Sequence, residues 1–287
     1  MESSIDIREE AGVRTLHFGS DWIQGAMRIA RPWNLELDYT REMMVSLLLR
    51  EGGSKAAGNP PAVSIPPSHR LDADCLPLVY PLRVLREGSR FPRKVLLIGL
   101  GAASLTKFLY RHYPLAKLTV VEIEPGVVAA ARQFFKLPHD PQRLKIVLAD
   151  GVQFIADSDQ TYDLVLVDGF DKNARPGALD TAAFYQSVRT HLGNQGIMAV
   201  NLLGRSRGFE ASVERISQAF DGRALAFPSC DSGNTIAFAA TGGPICIPLD
   251  DLKEMTQDLK RATGLNLLAT LTRLERAHTC QGSILKL

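Results

Sequence analysis

Four short stretches of this chain place small residues and carboxylates at regular intervals. They are Gly99-Leu100-Gly101, Glu122, Asp150-Gly151 and Asp168-Gly169-Phe170-Asp171. Each follows an apolar run of strand length. In an open α/β sheet, ligands sit beyond the carboxyl ends of the strands, so these groups would share one crevice. A small-residue turn lets a ligand approach the backbone, and the helix after it offers free N–H groups. An acid about twenty residues further on suits two hydrogen bonds to a ribose diol, which is the reading of Glu122. Asp150 reads either as the N-cap of the next helix or as a contact to a base such as adenine. Asp168 is the sharpest candidate. It closes an apolar run, and a partly desolvated carboxylate at a cleft mouth can take a proton from an attacking nucleophile. Its bland alternative is a turn Asp bonded to its own backbone. Asp171 reads as a substrate contact or a solvated loop residue. GLGAAS is not the G-x-G-x-x-G fingerprint, because Ser104 holds the last position, so the loop alone is weak evidence. The four stretches together favour a nucleoside-bearing ligand.

Such groups need strands and helices to carry them. From residue 93 the sequence predicts strand 94–98, helix 103–112, strand 117–122, helix 126–135, strand 145–149 and helix 151–156. Strand 162–169, helix 180–191, strand 196–203, helix 208–219 and strands 223–229 and 235–241 follow. YDLVLVDG has no polar residue between Leu164 and Val167, as suits a strand covered on both faces. The expected core is α/β: a parallel sheet with crossover helices and one final reversed strand. Residues 5–37 predict a small β-hairpin appendage. Residues 40–50 predict a helix capped by Thr40, with Met43, Met44, Leu47 and Leu48 turned to the core. Gly- and Pro-rich 51–70 predicts a loop, 76–86 a helix, and the tail from 250 one or two helices with Leu249, Leu252, Met255 and Leu259 on one stripe. The expected division is 1–50, 51–91, a nucleoside-binding core at 92–245, and a helical tail at 246–287.

Composition narrows the class. A net charge of +2 over 287 residues gives no strong field toward nucleic acid or membrane. No apolar run approaches the ~20 residues a membrane span needs. MESSIDIREE is acidic and polar, unlike a secretory leader, so a cytoplasmic protein is expected. Cys75, Cys230, Cys246 and Cys280 form no C-x-x-C pair, and the histidines form no H-E-x-x-H pattern. No metal site is expected, and the cysteines read as reduced packing thiols.

These residues resemble the polyamine aminopropyltransferase family, the spermidine and spermine synthases. That family shares the class I S-adenosylmethionine-dependent methyltransferase fold. Where it has G-G-G-D-G, this chain has Gly99-Leu100-Gly101-Ala102-Ala103. Val121-Glu122-Ile123-Glu124 is similar to V-E-I-D, and Asp150-Gly151 to D-G. Tyr162 to Asp171 is similar to Y-D-V-I-I-x-D-x-x-D, and Leu179, Phe184, Tyr185 and Gly196-Ile197 match downstream. Tyr39 to Met43 is loosely similar to Y-x-E-M, with one extra residue.

The resemblance implies a Rossmann-like core: a mostly parallel seven-stranded sheet with a final antiparallel strand and a small N-terminal β appendage. It implies donor contacts at Gly99, Leu100, Gly101, Glu122, Ile123, Asp150 and Gly151. Acceptor contacts would be Tyr39, Asp171 and Lys172, with Asp168 as the general base. The implied reaction moves an aminopropyl group from decarboxylated S-adenosylmethionine to a polyamine or other small amine, without a metal and in a homodimer. Ala102 departs from the family's Asp, which helps recognise the donor's free ammonium. Lys172 replaces a proline, and with Arg175 it would repel a dicationic acceptor such as putrescine. Methyl transfer from S-adenosylmethionine, or ligand binding without catalysis on the same scaffold, stay open as alternatives.

Overall fold

A computed structural model describes residues 5–50, 91–171, 175–204, 206, 208–230, 232–277, 279–280 and 282–287. The expected loop 51–70, the helix 76–86 and Lys172 lie outside the described residues.

The N-terminal appendage gains a strand over the expected hairpin. Strands β1 (Ile5–Glu10), β2 (Val13–Phe18) and β3 (Gly25–Arg28) form an antiparallel sheet in that order. The single helix expected at 40–50 is two short ones, α1 (Asp38–Met43) and α2 (Ser46–Leu49). Between them the Met44 and Val45 N–H groups bond three residues back, to the Arg41 and Glu42 carbonyls, which tightens the turn and breaks the α pattern. Thr40 is no cap. It sits inside α1 and donates its hydroxyl to the Leu37 carbonyl at 2.6 Å. Met43, Met44, Leu47 and Leu48 are buried, as their spacing required.

The core alternates strand and helix. In chain order it runs β4 (Lys94–Ile98), α3 (Ser104–His112), β5 (Lys117–Glu122), α4 (Pro125–Phe134) and β6 (Leu144–Leu148). Next come α5 (Gly151–Ala156), β7 (Tyr162–Val167), α6 (Ala182–Thr190) and β8 (Leu192–Leu203). It ends with α7 (Phe209–Ala219), β9 (Ala224–Ala226) and β10 (Asn234–Ala240). The sheet order is β6-β5-β4-β7-β8-β10-β9. The last strand is the reversed one. β10 inserts between β8 and the edge strand β9 and is antiparallel to both. Alternation along β4 divides the core. Val95 and Leu97 join a cluster with α3, α4 and the N-terminal elements, whereas Leu96 and Ile98 pack on the other face with residues of α6 and α7.

The tail holds the two expected helices, α8 (Leu249–Thr263) and α9 (Leu268–Arg276), with the Leu249, Leu252, Met255 and Leu259 stripe buried on α8. Gly264 ends α8 with φ +78, a conformation that glycine adopts without strain. Two three-residue strands around this pair, Cys246–Pro248 and Ile284–Lys286, are antiparallel partners. They are too short to leave a period in the sequence. Cys230 and Cys280 are free thiols, but Cys246 is disulfide-bonded, which corrects the expectation that all four are reduced. Among the described residues no helix is long and apolar enough to cross a membrane.

Candidate active site

The sheet order reverses at β4. The chain steps outward through β5 and β6, then returns to place β7 on the opposite side of β4. A crevice opens at such a switch point. The Gly99 N–H bonds to the Val121 carbonyl and the Asp168 N–H to the Ile98 carbonyl, each at 2.9 Å, so the strand tips lie side by side. Gly99 has φ +97, and a Cβ there would collide with the Asp168 carbonyl oxygen. Gly101, with φ +49, would bring a Cβ to 3.0 Å from the Gln24 carbonyl oxygen. Close crossings of the chain itself therefore favour glycine at both positions, a reason additional to the expected approach of a ligand.

A cleft of about 410 Å³ lies above the tips. Its walls are residues 99–101, 122–124, 150–152 and 168–171, with Phe18, Gln24 and Leu179 closing it. The donor-side residues expected from the sequence, Gly99, Leu100, Gly101, Glu122, Ile123, Asp150 and Gly151, all meet here. Glu122 is 8 % exposed. Its Oε2 accepts the Leu100 N–H and its Oε1 the Glu124 N–H, both at 2.9 Å. Burial pushes its proton affinity up, while the backbone N–H bonds oppose this. Glu122 thus ties the glycine loop to the tip of β5, and each oxygen keeps a lone pair for a hydroxyl. Ile123 is 67 % exposed on the cleft wall. Asp150 caps α5: its Oδ1 accepts from Val152 N–H at 2.8 Å and Gln153 N–H at 3.1 Å. Asp171 closes its own loop, accepting the Arg175 N–H at 2.8 Å on Oδ1 and donating its N–H to the Arg175 carbonyl at 2.9 Å.

Asp168 is partly buried at the cleft edge. Its carboxylate partners are side chains from distant elements, not its own turn. Tyr39 of α1 donates its hydroxyl to Oδ2 at 3.2 Å, and Asn201 of β8 donates its amide to Oδ1 at 2.9 Å. Burial raises the proton affinity of Asp168, and the bonds from Asn201 and Tyr39 lower it. Burial, with the Asp168 charge behind it, lifts the Tyr39 phenol well above its ordinary range, so it stays a donor.

Beyond Tyr39 lies a second cavity of about 540 Å³, lined by Asp21, Trp22, Ile23, Glu36, Asp38, Ser232 and Asn234. Its acids are held by arginines: Asp21 by Arg8 at 2.9 Å, Asp38 by Arg41 at 2.8 Å, and Glu36 by Arg28. Tyr39 lines this cavity and Asp168 the first, so the bond between them joins the two. None of Asn201, Asn234, Trp22 or Glu36 was singled out from the sequence. They come from four separate segments with no diagnostic spacing. Ala102, where the family resemblance has an acid, is 2 % exposed. A Cβ on Gly25 would meet the Ala102 Cβ at 2.6 Å, so β3 covers this position. A longer side chain there would displace β3.

Residues 86–205, which include the glycine loop and all four strand-tip acids, match the model of the spermine/spermidine synthase domain. Relatives extend the likeness beyond the domain. The polyamine aminopropyltransferase of Neisseria meningitidis serogroup A is 28 % identical over 278 residues, covering 97 % of this chain and 91 % of that protein. A crystal structure of spermidine synthase with the transition-state analogue AdoDATO superposes with a TM-score of 0.58 at 19 % identity, covering 94 % of this chain and 84 % of that one. Human methyltransferase-like protein 13, solved in complex with SAH, gives 0.54 at 25 % identity over 61 % of this chain and 83 % of that one. The Rossmann-like fold expected from the sequence is therefore the fold of the domain.

Proposed function

We propose that this protein transfers an aminopropyl group from decarboxylated S-adenosylmethionine to a small amine, with Asp168 as the general base. The observation that carries this reading is the position of Asp168. Its carboxylate is held by Tyr39 and Asn201 on the boundary between a cleft of nucleoside size and an acid-lined cavity. An ammonium is no nucleophile until it loses a proton. Asp168 takes that proton. The freed nitrogen lone pair attacks the carbon beside the sulfonium, the C–S electron pair stays on sulfur, and a neutral thioether leaves. The positive charge passes from sulfur to the new C–N nitrogen. Because the sulfonium is already a good leaving group, positioning supplies much of the remaining rate.

Asp21, Glu36 and Asp38 are paired with arginines, so the cavity beyond Tyr39 offers an amine acceptor their remaining lone pairs, not unpaired negative charge. Arg175, counted from the sequence against a dicationic acceptor, lines the donor-side cleft instead. The name shared by the Neisseria relative supports the same reading. One observation favours a second one: methyl transfer from S-adenosylmethionine. Ala102 offers no acid to an aminopropyl ammonium, and the human structural relative was solved with SAH.

Thermal unfolding with each ligand separates the two. A ligand at 100 times its Kd stabilises by about 2.7 kcal/mol. Decarboxylated S-adenosylmethionine and methylthioadenosine should raise Tm, with S-adenosylmethionine and its homocysteine product having little effect. The opposite pattern selects methyl transfer, and no shift with any of the four removes both. Under either reading Glu122→Ala should weaken adenosyl-ligand affinity by about tenfold or more, since charge-assisted bonds contribute roughly 1.5–3 kcal/mol. Isothermal titration checks this; an unchanged Kd would leave Glu122 as scaffold only.

A further inference from the structure

The second donor to Asp168 has a built orientation that the first lacks. Asn201 is 4 % exposed, and its amide is not free to turn. Its Nδ2 donates to Asp168 Oδ1 at 2.9 Å, while its Oδ1 accepts from Asn234 Nδ2 at 2.9 Å. The Asn234 Oδ1 accepts from the Ser232 hydroxyl at 2.7 Å. Each amide nitrogen therefore points toward the base, and each carbonyl points away from it. Flipping Asn201 would set its oxygen against a carboxylate oxygen and its NH₂ against the NH₂ of Asn234, losing two bonds at once. Tyr39, in contrast, holds a longer bond from a hydroxyl whose hydrogen can rotate.

We infer that Asn201 is a positioning residue that holds the Asp168 carboxylate in one orientation, with Oδ2 turned to the incoming amine, and that Asn234 and Ser232 lock Asn201 in turn. The inference rests on the general-base reading above and deepens it. The relay has a physical role at each step. A carboxylate taken from water drifts toward its neutral form, and a fixed donor on one oxygen opposes that drift. The donor occupies Oδ1, and Oδ2, which accepts the Tyr39 hydroxyl on one lone pair, keeps its other lone pair for the reacting proton. Two of the relay groups, Ser232 and Asn234, line the acid-lined cavity. Any acceptor bound there touches the far end of the same chain of bonds. Among the described residues, the titratable groups that share a cavity wall with Asp168 or Tyr39 are Glu122, Glu124, Asp150, Asp171 and Arg175 in the cleft and Asp21, Glu36 and Asp38 in the second cavity, with the Cys230 thiol next to Ser232. Cys230 sits 3.1 Å from the Ser232 hydroxyl.

The test is Asn201→Leu, which keeps the volume and removes the donor. With its opposing bond lost, the Asp168 carboxyl should hold its proton to higher pH. The acid limb of kcat/KM against pH should then move upward. The loss should be about tenfold or more at low pH and shrink as pH rises, because a bond to a charged group contributes roughly 1.5–3 kcal/mol. A merely structural role would lower the rate evenly at all pH values, and that outcome overturns the inference. A second readout needs no substrate: the carboxyl ¹³C titration of Asp168, assigned with Asp168→Asn, in wild type and Asn201→Leu. An upward shift in the variant supports the relay even if no tested acceptor is ever consumed, so its failure and that of the aminopropyl reading are separable. An unmoved titration ends it. If Asn201→Leu does not fold, Asn234→Leu should shift the same titration in the same direction by a smaller amount, and no shift there counts against the relay equally.

Discussion

Asp168→Asn is expected to lower kcat by about 10²–10⁴-fold, the range that a positioned general base supplies, while leaving methylthioadenosine affinity unchanged. The substitution suits the site. An asparagine at 168 can still accept the Asn201 amide on its oxygen, and its own NH₂ can donate to the Tyr39 hydroxyl, which then serves as acceptor. Packing and the strand-tip bond from the Asp168 N–H to Ile98 stay as they are. What disappears is the ability to remove a proton from an ammonium. The residual rate should rise steeply with pH, because at high pH more of the acceptor amine arrives already neutral. Single-turnover product formation with matched ligand titrations checks both halves. Full activity would remove Asp168 from the chemistry, and lost ligand affinity would make it a binding residue instead.

The legible part of this protein is what one segment can encode. Strand, small turn, helix and acid follow one another within residues 94–124, and the same rhythm repeats to Asp171. The residues that line the cleft above the strand tips were therefore readable almost one by one. Its glycines have a second reason that the sequence did not report: the chain crossings at Asp168 and Gln24 depend on β7 and on the entry to β3, which no local pattern encodes. Asp150 shows the same limit from the other side. Capping and ligand contact demand the same residue type at the same spot, and only the bonds to Val152 and Gln153 identify the cap. The surroundings of Asp168 were invisible. Tyr39, Asn201, Asn234 and Trp22 lie on α1, β8, β10 and the turn between β2 and β3, and they converge only because β10 inserts beside β8. The break between α1 and α2 was hidden for a different reason, since Met43, Met44, Leu47 and Leu48 satisfy one helical stripe whether or not the helix is continuous.

Lys107→Met is expected to stabilise the fold by about 2–3 kcal/mol at pH 7. Lys107 lies on α3, is 1 % exposed, and its Nζ has no hydrogen-bond partner among the described residues. Burial, with the Lys136 charge adding repulsion, pushes its pKa from 10.5 down to about 8. The sign follows from proton binding. Below pH 8 both folded and unfolded chains hold the proton, and the folded state carries the full cost of a buried ammonium. Between about 8 and 10.5 the unfolded state binds more protons than the folded one, so stability rises with pH. Above 10.5 the penalty is gone. A depression of that size corresponds to about 3 kcal/mol, and the burial is too complete for solvent screening to reduce it much. Methionine has nearly the volume of the lysine stem and no charge, so it should fill the site with little strain. Urea unfolding of both proteins at pH 7 and pH 10 reads the result. The variant should unfold at higher urea at pH 7, and its advantage should shrink at pH 10, which cancels the titration of every other lysine. Equal stability at pH 7 would mean that the ammonium already reaches water, and a constant advantage at both pH values would assign the gain to packing instead of charge.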